Sequence, residues 1–135
     1  MNKLLLDTHI LLWSLLEPER LSDKVTRELE NPSNEIWISP ITTWEIIILA
    51  EKGRVELNDE PVAWMQNVLN SMPFKQVTLN HEVAMQSRLI KPPHQDPADR
   101  FIAASAAVYD LILVTADQYL IKAAKSYAVL PNHQA

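Results

Sequence analysis

The chain has 135 residues, of which 47% are hydrophobic, a formal net charge of −5 and no cysteine. A chain of this length can bury one core, so we expect a single domain over residues 1–135. The absence of cysteine excludes disulfides, thiolate metal sites and a cysteine nucleophile, and it is compatible with a reducing cytoplasm.

Glycine and apolar patterning exclude further classes. Gly53 is the only glycine, so neither a Walker loop nor a G-x-G-x-x-G turn can be written. Apolar runs such as residues 10–16 are far shorter than the ~20 residues of a membrane span, and Asp7 and His9 interrupt any signal-like stretch. We therefore expect a soluble, unprocessed, cytoplasmic protein.

With a net charge of −5, the chain has no general excess of positive charge that would bind nucleic acid by neutralising its phosphates. A local basic patch is an alternative, although such charges more often only solvate a helix face. Its candidate members are Lys24, Arg27, Lys52, Arg54, Arg88 and Lys91.

Short apolar runs alternate with helical periodicity along the chain. The pattern predicts strands at residues 3–7, 35–39, 74–79 and 111–115. Helices are predicted at 8–16, from Ser22 to before Pro32, from Thr42 to a terminating Gly53, and at 61–72, 80–90, 97–110 and 117–127. Strands that alternate with helices form a mostly parallel sheet covered on both faces. The predicted fold class is therefore α/β, a three-layer α/β/α sandwich.

Four acidic residues fall at equivalent positions of this pattern. Asp7 ends the first strand, Glu45 lies near the start of the helix after the second, Asp99 opens the alanine-rich helix, and Asp117 follows "LILVT". The carboxyl ends of parallel strands form one edge of a sheet, and ligand crevices lie at that edge. We therefore expect the four side chains to share a crevice.

Each acid also has a structural explanation. Asp7, Asp96 and Asp117 suit helix N-caps, and "TTWE" (42–45) matches a capping box in which the glutamate reaches back to the threonine. For a single Asp at a helix start, capping is the more common role. Four acids together instead favour a bound cation, because clustered like charges repel and raise one another's pKa values.

Carboxylate ligands without cysteine suit a hard ion, Mg²⁺ or Mn²⁺, rather than zinc. One or two such ions could lower the pKa of a bound water, orient it toward a phosphodiester and neutralise charge on the leaving oxygen. The ion would also supply the positive charge that the acidic chain lacks. The acids therefore indicate phosphate chemistry.

The histidines and tryptophans receive structural explanations. His9 and His94 lie two residues from Asp7 and Asp96, but an isolated histidine near a loop is more often polar surface, so both are left outside the predicted site. The tryptophans stand in apolar sequence and are interpreted as core or partner interface rather than base-stacking residues. They are Trp13, Trp37, Trp44 and Trp64.

Four blocks carry a family resemblance. "LLLDTHILLW", "ISPITTWEI", "HQDPADRFIAA" and "LILVTAD", in this order over nearly the whole chain, resemble a PIN-domain protein of the VapC toxin type. The resemblance implies a small α/β/α fold, a Mg²⁺- or Mn²⁺-dependent endoribonuclease, an RNA substrate and a cognate antitoxin that blocks the toxin. It also implies a homodimer.

Carried over by position, the resemblance assigns metal binding and catalysis to Asp7, Glu45, Asp99 and Asp117. It implies that Thr115 hydrogen-bonds a carboxylate beside the metal. Asp96 is interpreted as a helix cap, with outer-shell metal contact as the alternative. Arg100 could steady a carboxylate or the substrate, although a surface salt bridge is the more common role for such a residue. An antitoxin groove would involve residues 11–16 and 44–49.

Two other functions stay open. The acidic pocket could receive a basic segment of a protein partner without catalysis. A phosphatase with Asp7 as its nucleophile is also conceivable, although "DTH" lacks the second Asp of the D-x-D pattern that such enzymes resemble.

Overall fold

A parallel sheet of five strands forms the centre of the fold in the computed structural model, which describes residues 1–90 and 96–133. The strands are β1 (Lys3–Leu6), β2 (Glu35–Ile38), β3 (Lys75–Gln76), β4 (Ile112–Thr115) and β5 (Ala128–Pro131). Their order is β3-β2-β1-β4-β5, and every pairing is parallel. Strands β2 and β3 are therefore added on one side of β1, and β4 and β5 on the other. Ligand crevices form at such a switch point, which here lies between β1 and β4.

Helices cover both faces of the sheet. In the described part of the chain they are α1 (Thr8–Leu16), α2 (Asp23–Glu30), α3 (Pro40–Glu51), α4 (Pro61–Ser71), α5 (His81–Leu89), α6 (Pro97–Tyr109) and α7 (Gln118–Lys122). Strand β1 is buried on both sides, with Leu4 and Leu6 packed in the core with α1 to α4, and Leu5 in the core with α5 to α7. The predicted α/β/α sandwich is confirmed.

Local sequence explains where several helices begin and end. Ser22 caps α2 by accepting a hydrogen bond from the Val25 N–H, in agreement with the predicted start. Gly53 has φ +70° after α3, and the Gly53 and Arg54 N–H groups close the last turn on the Ala50 and Leu49 carbonyls. The predicted role of Gly53 as a helix terminator is confirmed. None of the helices among residues 1–90 and 96–133 is long and apolar enough to cross a bilayer.

The start of α3 differs from the prediction. The helix begins at Pro40, because the Ser39 hydroxyl caps it by accepting from the Ile41 N–H at 3.1 Å and proline suits the first helical position. Thr42 therefore lies inside the helix, and its buried hydroxyl oxygen has no hydrogen-bond partner among the described residues. The predicted capping box at 42–45 is wrong.

Two other predicted elements are corrected by sheet pairing. The helix expected over 117–127 ends at Lys122, and residues 128–131 instead form β5, which pairs with β4. The strand expected over 74–79 contains only Lys75 and Gln76, which pair with Trp37 and Ile38 at the edge of the sheet. Both differences arise because pairing between strands depends on tertiary contacts and not on local periodicity.

Candidate active site

An acidic cavity of about 500 Å³ lies at the carboxyl ends of β1 and β4. All four acids that the sequence predicted to share a crevice line it. Among residues 1–90 and 96–133, the lining consists of Asp7, Thr8, His9, Trp13, Arg20, Glu45, Asp96, Asp99, Ala116 and Asp117. Another cavity, of about 370 Å³ beside β2 and β3, has only Lys75 as a titratable residue among its described lining. Of these two cavities, the acidic one therefore brings several titratable side chains together.

Asp7 is the most buried of these acids, with 7% of its surface exposed. Its Oδ1 accepts from the Ile10 N–H at 3.0 Å, which caps α1, and its Oδ2 accepts from the Thr115 hydroxyl. Burial raises the pKa of Asp7 from 3.8 to about 6. The two hydrogen bonds oppose this rise in pKa, whereas the negative charges of Asp117 and Glu45 add to it.

Thr115 fixes Asp7 relative to Asp117. Its completely buried hydroxyl donates to Asp7 and accepts from the Asp117 N–H at 3.0 Å. Asp117 in turn caps α7, because its Oδ1 accepts from the Tyr119 and Leu120 N–H groups at 2.8 and 3.1 Å. One threonine hydroxyl therefore connects the ends of two neighbouring strands.

Glu45 enters the cavity from the second turn of α3. Its Oε1 accepts a hydrogen bond from the Thr8 hydroxyl at 2.5 Å, so α1 and α3 are joined at the cavity. Burial raises the pKa of Glu45 above its ordinary value. The Thr8 hydrogen bond lowers this pKa, the negative charge of Asp96 raises it, and the nearby His9 lowers it.

The N-terminus of α6 brings Asp96 and Asp99 to the same cavity. Asp96 Oδ1 accepts from the Ala98 N–H at 2.9 Å and the Asp99 N–H at 3.4 Å, so Asp96 caps the helix. Asp99 is half-buried and lines the cavity wall. The proposed division between a capping Asp96 and a cavity-facing Asp99 is therefore compatible with the geometry.

Arg100 ties α6 to α5. Its Nε donates to the Ser87 carbonyl and its Nη2 to the Ile90 carbonyl, both at 2.8 Å. The Ser87 carbonyl lies in the last turn of α5, where helix backbone acceptors have no partner within the helix, and Ile90 follows the helix as its C-cap. Arg100 thus holds the start of α6, which carries Asp99, against the end of α5.

Sequence reasoning missed one wall of the cavity. His9 was left outside the predicted site and Trp13 was interpreted as core or partner interface, yet both line the cavity, with ring centroids 5.8 Å apart. The Arg20 guanidinium lies 4.3 Å from the centre of the Trp13 ring. The spacing of four residues between His9 and Trp13, on a helix that begins directly after Asp7, is the signal that could have revealed this wall.

The remaining tryptophans and the candidate basic patch lie elsewhere. Trp64 is buried in the core with α1 to α4, and Trp37 packs against the core with α5 to α7. Trp44 is 58% exposed, which excludes a core role for its side chain. The patch members inside the described ranges do not line the acidic cavity, and Lys91 lies outside those ranges, as does His94.

The donor set fits a hard divalent ion in its chemistry, because carboxylate oxygens dominate the cavity. Over residues 1–90 and 96–133, however, no three His, Asp or Glu side chains are grouped closely enough to hold a metal ion as they stand. Asp7, Glu45 and Asp117 each direct an oxygen to a hydrogen bond, and their negative charges repel. The carboxylates share a cavity without forming a closed coordination sphere.

The parallel α/β/α fold and the carboxylate-lined crevice at its switch point define a class of small proteins whose crevice is suited to binding cations. Residues 4–126 match the PIN domain family, and the chain belongs to this family. Over 121 residues the chain is 31% identical to Ribonuclease VapC22 of Mycobacterium tuberculosis, covering 89% of this chain and 91% of that protein.

Solved structures share the fold. A chain in the crystal structure of VapBC2 from Rickettsia felis, bound to a DNA fragment from its promoter, superposes with a TM-score of 0.72 at 16% identity and covers 97% of this chain and 99% of that one. A chain in the structure of DNA-bound VapBC from Salmonella typhimurium gives 0.69 at 22% identity, covering 97% and 98%. At these identities the likeness establishes the fold alone.

Proposed function

We propose that the protein is a metal-dependent endoribonuclease and the toxin of a toxin–antitoxin pair. It hydrolyses RNA phosphodiester bonds with Mg²⁺ or Mn²⁺ held by Asp7, Glu45, Asp99 and Asp117. The observation that carries this proposal is that four acids from separate elements of the fold line one cavity of about 500 Å³. The similarity to Ribonuclease VapC22 supports the RNA substrate. The fold shared with VapBC-5 of Mycobacterium tuberculosis, a member of the VapBC family of toxin-antitoxin systems, supports the role as a toxin.

A divalent ion at these carboxylates would supply an activated water and would neutralise charge on the phosphodiester. The protein's own contribution is orientation. Hydrogen bonds from Ile10 and Thr115 hold both oxygens of Asp7, so its carboxylate keeps one orientation. Thr8 holds Oε1 of Glu45, so Oε2 is the oxygen that this bond does not restrain.

The partners follow from the same proposal. A cognate antitoxin would bind and block the toxin, and VapBC complexes with the same fold support such a partner. The segments expected to form its groove expose apolar side chains, namely Leu15, Leu16 and Trp44. A homodimer and a cytoplasmic location stay predictions from the sequence.

RNA cleavage by the purified protein tests the proposal. Cleavage is expected with Mg²⁺ or Mn²⁺, and Asp99→Asn is expected to lower it at least ~100-fold while the circular dichroism spectrum stays native. Asp110→Asn is the matched control, since Asp110 ends the same helix with φ 54°, a conformation that asparagine tolerates. Cleavage that survives excess EDTA would overturn the metal mechanism.

A second candidate is a non-catalytic module whose acidic cavity receives a basic segment of a protein partner. This candidate is favoured by the positions of the carboxylates, because within the described residues no three of them are close enough together to bind a metal ion. A melting temperature indifferent to Mg²⁺ and Mn²⁺, together with tight binding of the partner, would support this candidate. An aspartyl phosphatase is less favoured, because the nucleophile it needs, Asp7, is 7% exposed with both oxygens hydrogen-bonded.

A further inference from the structure

Arg20 is the one lysine or arginine among the described residues that line the acidic cavity, where it faces five carboxylates. An RNA strand that enters this cavity brings its own negative charges close to those acids. A metal ion would neutralise charge at the bond that is cut, but phosphates beside that bond need another cation. Arg20 lines the same cavity as the acids and could therefore supply this cation.

The backbone of Arg20 is held by buried contacts. A short 3-10 turn spans Pro18–Arg20, and the buried Asn132 donates through Nδ2 to the Arg20 carbonyl at 3.0 Å. The Asn132 backbone N–H also donates to the Thr115 carbonyl at 2.8 Å. The turn is thereby fixed to the same residue that hydrogen-bonds Asp7, so the positions of Arg20 and Asp7 are linked through the core.

The guanidinium is oriented but still accessible. Its Cζ lies over the Trp13 ring, 4.3 Å from the ring centre, and its Nη1 contacts Glu17 Oε2 at 3.2 Å. The side chain is 51% exposed, and within the described ranges Glu17 is the one group that its donors contact. A guanidinium has five N–H donors, and stacking on an aromatic ring leaves their outward edge able to bind a phosphate through two oxygens.

We propose that Arg20 is a substrate-binding residue that contacts an RNA backbone phosphate next to the bond that is cut, with Trp13 and Asn132 as positioning residues. This inference rests on the proposed ribonuclease function, which by itself names no group that binds the RNA. Pre-orientation lowers the conformational entropy that is lost when the contact forms. This explains why the exposed Arg20 is held at both its backbone and its guanidinium.

The test uses steady-state cleavage of a short single-stranded RNA that the wild-type protein cuts. Arg20→Gln is expected to raise KM about tenfold, with a smaller effect on kcat, and to reduce the slope of log KM against log salt by about 0.7, the value for one phosphate contact on a single strand. Lys75→Gln is the charge-matched control, because Lys75 is exposed in edge strand β3 and does not line the acidic cavity.

Arg20→Lys separates charge from geometry. It keeps the charge but not the planar fork, so KM is expected to lie between the values for wild type and Arg20→Gln. Trp13→Leu is expected to raise KM without changing the salt slope, because the charge remains while its support is lost. Melting temperatures of all variants identify any that fail to fold, and the lysine variant then carries the test.

The outcomes distinguish the inference from the function beneath it. If wild type cleaves RNA but Arg20→Gln and Arg20→Lys match Lys75→Gln in KM and salt slope, the inference is overturned and the ribonuclease stands. If the Arg20 variants lose affinity only for a protein partner, Arg20 binds an acidic group of that partner and the inference is likewise overturned. If wild type cuts no RNA with either metal, the proposed function fails and the inference fails with it.

Discussion

Thr115 donates a hydrogen bond from its buried hydroxyl to Oδ2 of Asp7, across 108 residues of sequence. The same hydroxyl accepts the Asp117 N–H, so it satisfies two acidic residues that follow different strands. An unsatisfied buried polar group costs about 1–3 kcal/mol, which makes this hydroxyl important to the cavity.

Thr115→Val should destabilise the protein by about 1–3 kcal/mol, because it removes a donor to a buried carboxylate while keeping the side-chain shape. RNA cleavage should fall as well, since Asp7 loses the bond that orients it. Urea unfolding and cleavage assays measure the two effects. Thr115→Ser keeps the hydroxyl and should retain most of the activity; equal losses in the serine and valine variants would show that the methyl group, not the hydroxyl, is what matters.

The raised pKa of Asp7 predicts a pH dependence of stability in EDTA. Because burial raises the pKa from 3.8 to about 6, the folded state holds this proton more tightly than the unfolded chain does. The free energy of unfolding should therefore fall as pH rises from about 4 to about 6, by as much as roughly 3 kcal/mol for a shift of this size. Denaturant unfolding at pH 4 to 7 measures it.

Asp7→Asn isolates the contribution of Asp7, because asparagine can still cap α1 but does not ionise. The free energy of unfolding of the variant should fall less than that of wild type between pH 4 and pH 7. The difference between variant and wild type should therefore favour the variant more at pH 7 than at pH 4. Parallel pH profiles for the two proteins would contradict the assignment of the raised pKa to Asp7.

Divalent ions should stabilise the folded protein through the acidic cavity. At ten to a hundred times the dissociation constant, Mg²⁺ or Mn²⁺ should raise the free energy of unfolding by about 1–3 kcal/mol if only the folded state binds it. Glu45→Gln should reduce this effect. Glu51→Gln, at the exposed end of the same helix, is the control and should respond like wild type. Thermal unfolding with and without the ion measures all three proteins.

Asp96 provides a test of capping against metal contact. Asp96→Ala should cost about 1 kcal/mol, because the Ala98 and Asp99 N–H groups at the start of α6 lose their acceptor. Asp96→Asn keeps a capping oxygen and should preserve both stability and cleavage. Loss of cleavage in a stably folded Asp96→Asn protein would instead assign Asp96 to the metal environment.

Several features could be read from the sequence because they depend on neighbouring residues. Helical periodicity and the Ser22 cap predicted α2. Gly53 predicted the end of α3, and its φ is positive in the structure. The alternation of apolar strands with helices predicted the parallel sandwich, and the topology of such sandwiches predicted that four acids would meet at one edge, namely Asp7, Glu45, Asp99 and Asp117. Local chemistry and general topology were sufficient for these features.

The tertiary structure decided the rest. Strand β5 forms because Val129 lies beside Leu113 in the folded chain, and Glu45 accepts from the Thr8 hydroxyl rather than from the Thr42 backbone N–H that a capping box would use. Arg20 joins the cavity because Asn132, 112 residues away, holds its carbonyl. Each of these features is a contact between distant segments, whose partner is fixed only when the sheet forms, so periodicity along the chain contains no record of it.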